Sequence, residues 1–129
     1  MITYVSTPRA PTPAGHYSQA TVHNGIVYVS GQLPIDPTTG AKNLGSIEEQ
    51  TEQVLQNLVA VLEEAGSDLD QVLKVTVYLA DLGLWDRVNA VYARFFGESR
   101  PARSVAPTQP LHHGFLIEID AVAAVSRRP

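Results

Sequence analysis

The chain has 129 residues, no cysteine and a formal net charge of −4 from nine basic and 13 acidic side chains. That length suits a single domain, residues 1–129, with a continuous core, and the lack of cysteine excludes disulfides, thiolate catalysis and cysteine-ligated metals. The acidic balance and scattered Lys and Arg argue against a nucleic-acid partner, and the apolar runs are too short to span a bilayer, so a soluble protein is expected.

Met1 to Val5 lacks the basic and apolar segments of a secretion signal, which makes the cytoplasm the expected location. Pro8, Pro11 and Pro13 keep the next stretch out of a central strand. Ala20–His23 and Ile26–Ser30 then flank Asn24-Gly25, a two-residue hairpin signal, because both residues accept the positive φ that such a turn demands. Ile35 to Gly40, with Asp36, Pro37 and Gly40, reads as a loop.

Ser46 followed by Glu49 is a capping box that predicts a helix from that point to Ala65, stopped by Gly66. Val54, Leu55, Leu58, Val61, Leu62 and Ala65 form one apolar face, while Glu48, Glu52, Gln56 and Glu63 form the other, so the helix should lie on a sheet. Leu73 to Leu79 alternates, Val75, Val77 and Leu79 against Lys74, Thr76 and Tyr78, as a strand does. A second helix is expected from Trp85 to Phe96, with Trp85, Val88, Tyr92, Phe95 and Phe96 as its stripe and Gly97 as its stop. Arg100 to Val105 is extended, and Phe115 to Val125 is the last strand, with Phe115, Ile117, Ile119, Ala121 and Ala123 on one face and Leu116, Glu118, Asp120, Val122 and Ala124 on the other. Arg127-Arg128 reads as a solvated tail.

This order of elements implies an α+β sandwich, a mixed sheet with both helices on one face. Its second face would be partly apolar through Val122, Ala124, Tyr78 and either Val27 or Val29, so a closed homo-oligomer is expected to cover it.

Glycine-rich phosphate loops, nucleophile elbows and zinc-protease helices are absent from the sequence. His112-His113 on an extended segment would point apart with no third ligand at suitable spacing, so no metal is expected and the pair reads as a solvated loop. Glu118 lies between Ile117 and Ile119, where desolvation could fit a carboxyl for proton transfer; a salt bridge or an exposed strand face is the alternative. Arg103 offers a planar fork for a substrate carboxylate, or else pairs with Glu118 or Asp120.

Five segments, Gly15-His16-Tyr17-Ser18-Gln19-Ala20, Val29-Ser30-Gly31-Gln32, Val88-Asn89-Ala90-Val91-Tyr92, Arg100-Pro101-Ala102-Arg103-Ser104 and Ile117-Glu118-Ile119-Asp120-Ala121, together resemble the RidA (YjgF) family in content, order and spacing. The resemblance spans nearly the whole chain. It implies a chorismate-mutase-like fold, a six-stranded sheet with two helices, assembled as a homotrimer with ligand clefts between subunits. It further implies that Arg103 binds a substrate carboxylate, that Glu118 is the acid/base, and that Tyr17, Ser30, Gly31 and Asn89 line the pocket. The implied reaction is hydrolytic deamination of enamines or imines such as 2-aminoacrylate or 2-aminocrotonate to 2-keto acids and ammonia, without a cofactor. Ribonuclease or translation-inhibitor activity and a non-catalytic binding or chaperone role are the other readings. His16 and Val105 depart from the family's usual proline and cysteine, and Leu111 to Phe115 departs from its usual approach to the last strand, which leaves the particular imine open.

Overall fold

The structure, a computed structural model, describes residues 1–126; the Arg127-Arg128 pair lies outside them. Six strands are present, β1 (Thr3–Val5), β2 (Ala20–His23), β3 (Ile26–Gln32), β4 (Val72–Leu79), β5 (Ala102–Pro107) and β6 (Ile117–Ala124), with helices α1 (Ile47–Glu64) and α2 (Trp85–Phe96). They form one mixed sheet in the order β1-β2-β3-β6-β4-β5. Only β4 and β5 run parallel, because α2 returns the chain to the same end of the sheet before β5 begins. This is the expected α+β, chorismate-mutase-like architecture, with both helices on one face. Among the described residues no helix is long and apolar enough to cross a membrane.

The local signals act as chemistry requires. Asn24 and Gly25 have φ of 51° and 78°, the left-handed pair of a tight hairpin turn. Ser46 Oγ accepts from the Glu49 amide while Glu49 Oε1 accepts from the Ser46 amide, so two otherwise unpaired N–H groups at the start of α1 are satisfied, worth about 1 kcal/mol. β5 begins two residues later than Arg100 and runs on to Pro107, which the sheet tolerates because β5 is an edge strand.

Register decides what each face carries. Val75, Val77 and Leu79 of β4 pair with Ala121, Ile119 and Ile117 of β6, and all six are buried beneath the helices with Leu55, Leu58 and Leu62 of α1. Val27 and Val29 pair with Ala123 and Ala121, so both belong to this core. That corrects the expectation that one of them would face outward; Tyr28, opposite Val122, takes that place and is half exposed. The open face thus carries Tyr28, Tyr78, Glu118, Asp120 and Val122, and among the described residues no helix lies over it.

Three buried amides fasten the loops at one end of the sheet. Gln19 accepts from the Thr7 amide and donates to the carbonyls of Thr7, Ala10 and Pro11, which ties the proline-rich segment to β2. Asn57, inside α1, donates to the carbonyls of Leu33 and Ile35, and Gln50 accepts from the Leu116 amide. Each amide replaces hydrogen bonds that buried loop backbone would otherwise lose to desolvation.

Candidate functional site

The residues singled out from the sequence separate into two groups. Arg103 pairs in register with Val75, so its side chain emerges on the helix side of the sheet, at the exposed edge. There its guanidinium lies 4.5 Å from the centre of the Trp85 ring and 5.0 Å from that of Tyr92, and it donates to Asn89 Oδ1 at 3.1 Å. Trp85, Asn89 and Tyr92 stand four and three residues apart on α2, the spacing that puts them on one helix face. Two aromatic faces and an amide therefore hold the guanidinium by contacts that leave N–H donors of its fork for a ligand. Burial pushes the Tyr92 phenol up from its ordinary value, and the Arg103 charge works against that rise. A cavity of about 550 Å³ borders this group, lined by Asn89, Tyr92, Arg100 and Arg103 among others.

Arg103 does not pair with Glu118 or Asp120. Among the described residues the salt bridges join Arg9 to Glu63 and Arg87 to Glu48, the latter bidentate at 2.7 Å and holding Glu48 down at about 2. The reason is register: Glu118 pairs with Tyr78 and so points to the face opposite Arg103. The alternative in which the arginine neutralises its own strand neighbours is thereby removed.

Glu118 is the centre of the second group. Its carboxylate rests directly on Gly31, close enough that a Cβ there would overlap Oε2 at 2.1 Å, so this position admits only glycine if the glutamate is to stay where it is. The register of β3 against β6 shifts between Val29 and Gln32, and this bulge brings Gly31 under the carboxylate. Ser30 fixes the neighbouring loop: its hydroxyl donates to the Ser18 carbonyl at 2.6 Å and its amide to the Gln19 carbonyl at 2.9 Å. Tyr17 at the end of that loop is exposed and lines, with Gly31, Leu33 and Ile35, a largely apolar cavity of about 350 Å³. Burial raises the Glu118 pKa above its usual value; the charge of His112 opposes this and Asp120 adds to it. Asp120 itself accepts a 2.9 Å hydrogen bond from the Tyr78 hydroxyl, which pushes the Tyr78 phenol up.

The structure thus brings Tyr17, Ser30, Gly31 and Glu118 together, brings Arg103 and Asn89 together, and keeps the two sets on opposite faces of one sheet. Sequence reasoning placed Trp85 and Tyr92 in a core stripe and missed that they box the arginine; their spacing about Asn89 was the available signal. It also read His112-His113 as an extended, solvated pair. Both histidines are exposed, as expected, but the segment is a short 3-10 turn with His113 at φ 59° rather than extended, and both residues border the cavity that Tyr17 and Gly31 line. Among the described residues no three His, Asp or Glu side chains cluster as a metal would need.

Residues 7–125 match the family described as Endoribonuclease L-PSP. The chain belongs to that family, the one also called RidA. A RutC family protein of Pyrococcus abyssi is 48% identical over 92% of this chain and 94% of its own length. The human protein named 2-iminobutanoate/2-iminopropanoate deaminase is 40% identical over 92% of this chain and 87% of its own. The crystal structure of E. coli TdcF with bound serine superposes with a TM-score of 0.91 at 32% identity, covering 96% of this chain and 99% of that one. In this RidA family member, then, the resemblance read from five short motifs extends through the whole described fold.

Proposed function

We propose that the protein is a cofactor-independent deaminase that hydrolyses small 2-imino or 2-enamino acids, such as 2-aminoacrylate or 2-aminocrotonate, and that each site takes Arg103 from one subunit and Glu118 from another in a homotrimer. The observation that carries this reading is the separation just described: a carboxylate-binding fork and a desolvated acid, each with its own supporting residues, standing on opposite faces of the sheet. One protomer holds two half-sites. Packing the open face of one copy against the edge of the next joins them and covers Tyr28, Tyr78 and Val122. The name of the human relative supports the reaction class, and the serine held by the TdcF structure supports a ligand of amino-acid size.

The chemistry follows from what these side chains can do. Arg103 grips the substrate carboxylate through paired N–H donors, and its aromatic box limits the orientations it must lose on binding. Glu118, whose burial favours the protonated carboxyl, gives its proton to the enamine carbon, or to the nitrogen of the imine tautomer, producing an iminium. Water adds to C2 as the carboxylate takes one of its protons, forming a carbinolamine. Glu118 passes that proton to the nitrogen. Ammonia leaves as the C2 oxygen becomes a carbonyl and returns its proton to the carboxylate, so the 2-keto acid is formed and Glu118 ends as it began.

The test generates 2-aminoacrylate with a serine dehydratase and traps surviving imine with semicarbazide. The wild type is expected to deplete the trapped product, whereas Arg103→Ala and Glu118→Gln lose at least about a hundredfold of that activity. If the wild type does not accelerate decay, the clefts bind ligand without turning it over; if the purified protein degrades RNA irrespective of Arg103, the deaminase assignment fails.

A further inference from the structure

The turn that follows α2 brings a second arginine to the Arg103 cavity. Gly97, at φ 60°, donates its amide to the Ala93 carbonyl at 2.9 Å, and the Ser99 amide donates to the Phe96 carbonyl at 3.0 Å. The chain therefore leaves the helix in a closed turn, and two of the last carbonyls of α2 are occupied. The Ser99 hydroxyl donates to Asp70 Oδ1 at 2.8 Å, which fastens the turn to the short 3-10 segment Leu69–Gln71. Pro101 biases Arg100 toward extended backbone, and Arg100 and Arg103 both line the cavity of about 550 Å³ beside Asn89 and Ser99. Among the described residues no Asp or Glu lines this cavity: neither Glu98, from the same turn, nor Asp70, behind Ser99, reaches it. The salt bridges among the described residues take Arg9 and Arg87 and leave Arg100 and Arg103 without a carboxylate.

We propose that Arg100 is a specificity-determining residue, and that the cavity favours 2-imino acids whose side chain ends in a second carboxylate, held by Arg100 while Arg103 holds the carboxylate at C1. The proposal rests on the deaminase reading for the imino group, and on the cavity alone for the second charge. Two guanidinium groups in one carboxylate-free cavity repel each other, in a protein whose net charge is −4, and a ligand with two negative ends relieves that repulsion. Each planar fork can take one carboxylate through paired N–H donors. The spacing suits a short diacid: three residues of extended chain separate the two Cα atoms by at most about 11 Å, and the long arginine stems close that span from both sides. The cavity also has far more room than a three-carbon imino acid fills. Trp85 and Tyr92 hold Arg103 in place, whereas Arg100 is exposed, so the second contact adds selectivity to a site that Arg103 anchors.

The test measures, by titration calorimetry, the binding of two stable 2-keto acids, 2-oxobutanoate with one carboxylate and 2-oxoglutarate with two. The wild type should bind 2-oxoglutarate about fivefold more tightly, the size of effect that an exposed ion pair supplies. Arg100→Ala should bring the ratio of the two affinities to about one, Arg100→Glu should invert it, and Arg103→Ala should weaken both ligands. A wild-type ratio of one or less, a preference that survives in Arg100→Ala, or no binding of either acid overturns the proposal. Imine hydrolysis by a wild type that shows no such preference would overturn this inference alone. An Arg100-dependent preference in a protein that does not hydrolyse imines would overturn the proposed function and leave Arg100 as the reader of the second carboxylate.

Discussion

The two faces of the sheet solve the same problem differently. On the covered face, Val75, Val77, Leu79, Ile117 and Ile119 are fully buried by the apolar stripes of α1 and α2, and every contact needed lies within one chain. On the open face, Tyr28 is half exposed, and among the described residues no helix or strand lies above Tyr78, Glu118, Asp120 and Val122. A sheet with one dry face and one face of tyrosines, carboxylates and valine is complete as a fold and incomplete as a site. The first face fixes the protomer; under the proposed function the second is where another copy packs.

That contrast can be broken at several points, from the largest expected effect to the smallest. Leu58→Ala on the covered face removes a fully buried side chain from the helix-to-sheet core and should cost about 2–5 kcal/mol in urea unfolding. If the proposed homotrimer forms through the open face, Tyr28→Arg should leave the far-UV circular dichroism of the protomer intact while light scattering reports a smaller species than wild type. If that variant remains trimeric, the open face is not the interface. The smallest effect concerns Glu118. Because its pKa is raised in the folded state, the native protein holds this proton more tightly than the unfolded chain, so the group is harmless below its ordinary value of 4.5 and costs stability as pH rises through the folded value. Glu118→Gln should therefore gain in Tm relative to wild type as pH rises from about 4.5 to about 7, and a difference independent of pH would show that Glu118 is not desolvated.

Much of the fold was legible because its signals are local. The Asn24-Gly25 turn, the Ser46/Glu49 capping box and the period-two alternation of β4 and β6 each state their structure within a few residues. The direction of Val27 and Val29 was not legible, since a strand of Ile26, Val27, Tyr28 and Val29 is apolar on both sides and only pairing with β6 decides which side faces the helices. Gln50 and Asn57 were equally silent: an amide buried against a loop carbonyl looks like any surface amide until the loop is in place. For the site, Arg103 and Glu118 could be named from motif and from position in a strand. That they lie on opposite faces could not, because it depends on the parallel register of β5 on β4. The histidine pair is exposed as its sequence suggested, but its turn was not legible for a related reason: the left-handed His113 curls a segment that the residue types alone read as extended.

The central claim is that Arg103 and Glu118 of one working site come from different copies. Arg103→Ala and Glu118→Gln protomers, each inactive alone, should be unfolded together, refolded as a mixture and assayed for imine hydrolysis. Random assembly places an intact arginine beside an intact glutamate in roughly a quarter of the clefts, so the mixture should regain roughly that share of wild-type activity. A mixture no more active than either variant alone, despite verified mixed trimers, would contradict the account.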